Sequence, residues 1–260
     1  MPILAWYAAV LQHGLMAAAY KLAQHCQQMI LTLLDIVLPD TCVICRETVR
    51  TQQAHRLCDP CWMALPHNHC ACPRCGLPLP SPGICGTCLR QPAQTHLHLC
   101  ALVHRDSARW LVHQLKYAHN LRAAAPLAMA MTTLIRLRYA TQPLPQQLVV
   151  VPLSYRRGVQ RGHNQATALA RYLSRSLRIP LLHGATSRTH RIPQHRLRRG
   201  ARLALAPQHF RVRRRVAGQH LALVDDVCTT GATTGALATA LRRAGANRVD
   251  IWCATRATLP

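Results

Sequence analysis

Acidic side chains are what this chain most lacks. Eight Asp and Glu stand against 32 Lys and Arg, for a formal charge of +24 over 260 residues. Between Asp106 and Asp225 there is no acid, while the same stretch carries 21 Lys and Arg. An arginine-rich composition explains why only Lys21 and Lys116 are lysine, but not why the acids are missing. A field of that sign attracts polyanions such as phosphates, nucleic acid or an acidic membrane surface. Aromatics are scarce too, with Phe210 the single phenylalanine, so base stacking has few platforms. Long apolar runs are missing. Gln12, His13, Lys21, Gln24, Gln27 and Gln28 interrupt the N-terminal stretch, and no run of about 20 apolar residues is left to span a bilayer. A basic n-region with a small-residue cleavage site is absent, and so is the G-x-x-x-x-G-K-[ST] phosphate loop. The expectation is a cytoplasmic protein with reduced thiols, in which 13 cysteines point to metal rather than disulfides.

Half the residues are apolar, enough for a buried core. Three parts can be read. Residues 1–38 carry Leu4, Leu11, Leu15, Leu22, Met29, Leu33 and Val37 at helical spacing before Pro39 stops the pattern, which predicts a helical extension packed on the protein or a partner. Residues 39–92 are rich in Cys and Pro with little periodicity, a loop-rich module needing something other than a core. From 93 to 260, helical patterns at 106–118, opened by an Asp106 cap, and at 121–139 precede an apolar strand at 148–153. A helix at 162–177, a strand at 221–226, a helix at 234–244 stopped by Gly245 and a strand at 248–254 follow. That alternation predicts an α/β fold with a doubly wound parallel sheet.

Four C-x-x-C pairs occupy the module: Cys42 and Cys45, Cys58 and Cys61, Cys72 and Cys75, Cys85 and Cys88. A two-residue gap lets both thiolates of a knuckle reach one ion, and two knuckles complete a closed tetrahedral site. Eight ligands make two structural zinc ions. Sequential pairing, 42/45/58/61 and 72/75/85/88, is the expectation, with a cross-braced arrangement as the alternative. Cys26, Cys70, Cys100, Cys228 and Cys253 read as small core fillers, Cys70 being placed to substitute for a neighbour.

The segment 221–233, LALVDDVCTTGAT, is the most informative. An apolar strand delivers Asp225 and Asp226 at its C-terminal end, where open α/β sheets bind ligands. Thr229, Thr230, Gly231, Ala232 and Thr233 then form a small-residue turn into a helix, whose N–H groups and hydroxyls suit one phosphate. The two carboxylates cannot bind that phosphate, and are left to accept bonds from a sugar diol or to hold Mg²⁺ through water.

This segment resembles the phosphoribosyl pyrophosphate signature of type I phosphoribosyltransferases. With the knuckles before it, and VPL and RGHNQ between, residues 33–257 resemble the ComF/GntX family of bacterial proteins linked to DNA uptake and use. The resemblance implies ribose contacts from Asp225 and Asp226, with Asp225 near enough to offset positive charge on the sugar, and a 5′-phosphate in the 229–233 loop. It implies pyrophosphate beside the loop after 148–153, accompanied by Mg²⁺. Arg161, Asn164 and Gln165 match the family's R-G-F-N-Q, with His163 in place of Phe, and Lys116 matches a Lys-aromatic helix end. Arg188 to Gln194 looks like a segment that covers such sites. The acceptor and any general base among 16 His are not identified. Three functions follow as expectations: phosphoribosyl transfer, a non-catalytic ligand sensor, or a competence factor binding single-stranded DNA and DNA-processing proteins.

Overall fold

A computed structural model describes residues 40–49, 55–90, 97–118, 120–153, 164–188 and 207–258. The helix read at 1–38, Cys26, Arg161, His163 and the covering segment beyond Arg188 lie outside the described residues. In chain order the elements are β1 (Asp40–Thr41), β2 (Thr48–Val49), α1 (Asp59–Met63), α2 (Gly86–Arg90), β3 (His98–Val103), α3 (Asp106–Tyr117), α4 (Ala124–Arg138), β4 (Gln147–Val150), α5 (Gln165–Leu177), β5 (Thr186–Arg188), β6 (Phe210–Val212), β7 (His220–Cys228), α6 (Ala232–Arg243) and β8 (Arg248–Arg256).

Four strands form a parallel sheet in the order β3-β8-β7-β4. Its near-continuous apolar strands reflect cover on both faces. Along β7, Ala222 and Val224 enter a core with α3, α4 and α5, while Leu221 and Leu223 enter a second core with α6 and Phe210. The doubly wound α/β expectation is met. In α3, Ala108, Leu111, Val112 and Leu115 make the buried stripe, which brings neighbouring Lys116 to the sheet's C-terminal edge.

Several boundaries differ for local reasons. β4 ends at Val150 rather than 153. Val151 N–H still bonds the Val224 carbonyl at 3.1 Å, but Pro152 has no N–H with which to continue. α5 starts after Asn164, not at Gly162. α6 starts at Ala232, and its cap Gly231 has φ +76°. Asp106 does not cap α3: Arg105 occupies the cap position without a side-chain cap bond. β3 and the antiparallel β5–β6 pair were not anticipated. Gly245, at φ +97° with its N–H on the Arg242 carbonyl, closes α6 as read.

The Cys-rich module is a duplicated unit docked on an edge strand. Cys42 N–H bonds Glu47 O and Cys72 N–H bonds Leu77 O; Arg46 N–H bonds Cys42 O and Gly76 N–H bonds Cys72 O. Both turn residues are left-handed, Arg46 at φ +67° and Gly76 at +70°. The module continues the sheet antiparallel at β3: Val103 N–H bonds Pro66 O, Asn68 N–H bonds Ala101 O, and His67 bridges Leu102. An edge that would template aggregation is thereby covered.

Candidate functional site

Two groups of four cysteines assemble in the module, Cys42/Cys45/Cys58/Cys61 and Cys72/Cys75/Cys85/Cys88, with the sulfurs of each within 4.8 Å of one another. This is the sequential pairing, and it excludes cross-bracing. Four thiols at that spacing fit zinc, whose bonds to sulfur of about 2.3 Å put tetrahedral sulfurs roughly 3.8 Å apart. The surroundings favour the thiolate at one position of each group and the neutral thiol at others: burial and the neighbouring sulfurs raise Cys61 and Cys88, and Cys45 and Cys75 are raised as well. Burial opposes charge on Cys42, yet backbone N–H groups of Cys45, Cys58 and Ile44 pull it down to about 6. Burial likewise opposes charge on Cys72, and N–H groups of Cys85, Arg74 and Cys75 bring it to about 7. With all four positions filled by protein, such zinc sites hold structure and present nothing to substrate.

The second site lies at the C-terminal end of β7. Asp225 and Asp226 are half-buried there, and residues 229–233 are exposed or half-exposed. Val150 of β4 pairs with Val224, so the segment after β4 runs beside the carboxylates. A cleft lined by Pro152, Leu153, Asn164, Thr167 and Thr186 among others opens on the other side of β4, and none of residues 225–233 lines it. Gly231 caps α6 in the left-handed region, where an L side chain is strained. The Thr230 hydroxyl accepts the Ala232 N–H at 3.3 Å, which leaves its own proton free to donate.

The two acids are unlike. Lys116 Nζ lies 2.7 Å from Asp226 Oδ2, with side chains only 18% and 14% exposed. Burial opposes the charge on Asp226, but Lys116 beside it holds the carboxyl below its ordinary value. Burial pushes Asp225 well up, and the charge on Asp226 adds to that. One carboxylate is thus fixed as an anion while its neighbour favours the proton.

Two of the expected residues also serve the fold. Asn164 is occupied by the fold: Oδ1 accepts Ala166 N–H at 3.1 Å to cap α5, and Nδ2 donates to Val151 O at 3.0 Å. Its role is to hold α5 against the end of β4. Gln165 is 1% exposed, inside the helix packing rather than at the surface.

Two residues escaped sequence reading. Arg256, 7% exposed at the end of β8, donates Nε to Cys75 O at 2.9 Å and Nη1 to the carbonyls of Cys228 and Thr229. It ties the second cysteine group to the base of the loop. Its only sequence signal was an arginine ending an apolar strand. His104 pairs through Nδ1 with Thr255 Oγ1 at 3.0 Å, and Thr255 donates to the Asp226 carbonyl. Burial, then Lys116 and Arg109, lower His104 below its usual value and keep it neutral at pH 7.

Zinc ribbons joined to a parallel α/β domain that presents paired acids and a glycine turn define the class of protein. The double zinc ribbon domain matches residues 33–89. The chain is 33% identical over 225 residues to the DNA utilization protein YhgH of Salmonella typhi, which covers 85% of this chain and 99% of that protein. Competence protein F of Haemophilus influenzae is 29% identical over 185 residues, 66% of this chain and 78% of that one. The chain therefore belongs to the ComF-type family. Among solved structures, the purine phosphoribosyltransferase from Pyrococcus horikoshii Ot3 matches 55% of this chain and 71% of that chain, at 14% identity and a TM-score of 0.31. No helix among the described residues is long and apolar enough to cross a membrane.

Proposed function

We propose that Asp225, Asp226 and the 229–233 loop bind a phosphorylated ribose, with phosphoribosyl pyrophosphate as the ligand the site suits best. The observation that carries this reading is the left-handed Gly231. It opens an exposed, small-residue turn into α6 directly after two half-buried acids at the carboxyl end of a central strand. Backbone N–H groups of Thr230, Gly231 and Thr233, that of Ala232 once it leaves the Thr230 hydroxyl, and the hydroxyls of Thr229, Thr230 and Thr233 take the 5′-phosphate. Asp226 accepts from the sugar diol, and Lys116 turns from Asp226 toward the pyrophosphate, helped by Arg161. Mg²⁺, when bound with pyrophosphate, would neutralise its charge.

Transfer on this site breaks the C1–oxygen bond, the electron pair leaves with pyrophosphate, and an acceptor nucleophile forms the new bond. Asp225, which favours its proton in the free protein, would ionise against the positive charge that develops on the ring and offset it, and neutral His104 is available to take the acceptor's proton. Pyrophosphate release from phosphoribosyl pyrophosphate with a panel of nucleobases tests turnover. Release abolished by Asp225→Asn supports an enzyme. Tight binding without release under every acceptor supports a sensor instead.

A second reading concerns nucleic acid. The acid-free stretch exposes Arg211, Arg213, Arg214 and Arg215 close together, and relatives carry names tied to DNA utilization and competence. Such a surface suits single-stranded DNA held through its phosphates, without base selectivity.

A further inference from the structure

Three cysteines expected to fill space do not scatter through the core. Cys100 on β3, Cys253 on β8 and Cys228 at the end of β7 converge with His98 on β3, and all four are buried. Their ligand atoms lie within 4.8 Å of one another, the limit that also contains each knuckle group. His98 Nε2 is 3.9 Å from Cys253 Sγ. Strand register produces the cluster: Cys100 and Cys253 are direct partners across β3 and β8, and β7 lies next in the sheet.

The geometry points to a third zinc site, His98/Cys100/Cys228/Cys253, buried where the cysteine module meets the sheet and closed to solvent. Three sulfurs and one imidazole are a donor set that selects tetrahedral zinc over harder cations. Zinc held by about 2.3 Å bonds to sulfur and about 2.0 Å to nitrogen needs donor separations of roughly 3.5–3.8 Å, so a modest contraction of the observed set suffices. The alternative, three thiols and an imidazole serving as apolar packing, leaves polar donors gathered in one dry place where aliphatic side chains would pack better.

The position gives this ion a task the knuckle sites do not have. Gly76, next to knuckle residue Cys75, lies so close that a Cβ there would come within 2.5 Å of Cys100 Sγ, and its φ of +70° also favours glycine. Cys228 is followed directly by Thr229, and a Cβ on Gly231 would meet Cys228 Sγ at 3.9 Å and His98 Cε1 at 4.0 Å. One ion would thus tie β3, β7 and β8 together beneath the 229–233 loop, against the module.

The test is the zinc count of the full chain, purified without added metal or chelator, by native mass spectrometry and elemental analysis. Three zinc ions per chain are expected, falling to two in His98→Ala and in Cys253→Ala, and returning to three in His98→Cys, which restores a fourth donor. If Cys253→Ala does not fold, the wild-type count and the His98 pair still decide. Two zinc ions in the wild type would overturn the proposal, as would an unchanged count in folded His98→Ala or a Cys100–Cys253 disulfide in the native protein. Because the readout is metal, it stands apart from whether the loop binds ribose phosphate.

Discussion

The two ends of the central strands treat their acids in opposite ways. Near the start of β8, Asp250 is fully buried and saturated: Tyr139 Oη donates at 2.6 Å, His220 Nε2 lies at 2.6 Å, and Arg248 Nε at 3.0 Å. Trp252 Nε1 in turn donates to Tyr139 Oη at 3.3 Å. At the far end, one ammonium, Lys116, pairs with Asp226, and Asp225 accepts the backbone N–H of Asp226 at 2.9 Å. An acid surrounded by donors is a structural part. Adjacent acids with few donors, one of them pushed toward its neutral form, retain capacity for hydrogen bonds that a ligand can use.

Substitution should separate the ends, and the largest effect belongs to Asp250. Asp250→Ala removes the acceptor that three side chains share and strands the Arg248 charge in a half-buried place. A loss of about 3 kcal/mol or more is expected, read as a lower urea midpoint. A stability close to wild type would erase the contrast.

Asp225→Asn should do the reverse. The fold already favours the neutral carboxyl, so the urea midpoint should hold or rise slightly, while ribose-phosphate affinity falls by about 1–3 kcal/mol. Destabilisation like that of Asp250→Ala would mean that Asp225 is structural as well.

Acid sharpens the comparison. Asp226, with its value lowered by Lys116, contributes stability that is present above its unfolded value and lost as pH falls through the lower folded one. Asp225, raised, acts oppositely: the folded state takes up its proton first, so falling pH relieves it. His104 is lowered, so its neutral form favours the fold, and that stability is lost as pH falls from 6.5 through the folded value. His104→Gln should therefore lose less stability than wild type between pH 7.5 and 5.5, with zinc content checked at both. An identical pH response in the two proteins would refute the assignment.

The smallest effect on stability is expected on the basic surface. Replacing Arg211, Arg213, Arg214 and Arg215 by Ala should change the urea midpoint little. If single-stranded DNA binds there, the slope of log affinity against log salt should become shallower in that variant. An unchanged slope would remove this surface from the DNA reading.

Much of this was legible because the signals are local. A C-x-x-C knuckle needs only its own turn, and the segment LALVDDVCTTGAT carries strand, acids and glycine turn in one run. What stayed hidden depends on register. Cys100, Cys228 and Cys253 look like isolated small residues until β3, β8 and β7 are laid side by side, and no spacing in the chain announces that. Arg256 is likewise one arginine among many until strand pairing brings it to Cys75, Cys228 and Thr229. Asn164 has a structural task that its motif did not announce. Its motif placed it correctly at the start of α5, but an Asn there is consumed by helix capping and by Val151. β3 was missed because its partner on one side is the irregular segment around His67, which has no strand pattern.

The central claim is that the 229–233 turn holds a phosphate, and Gly231→Val tests it most directly. A Cβ at Gly231 has room, its nearest neighbours lying 3.9 Å and 4.0 Å away, so the substitution acts through the backbone: valine resists φ +76° and would swing the N–H groups out of the turn. Calorimetric titration of the folded, zinc-loaded variant with phosphoribosyl pyrophosphate and with ribose 5-phosphate is the measurement. Wild type should bind both ligands and Gly231→Val neither, with zinc content equal in the two proteins. Undiminished binding of phosphoribosyl pyrophosphate by Gly231→Val would contradict the account.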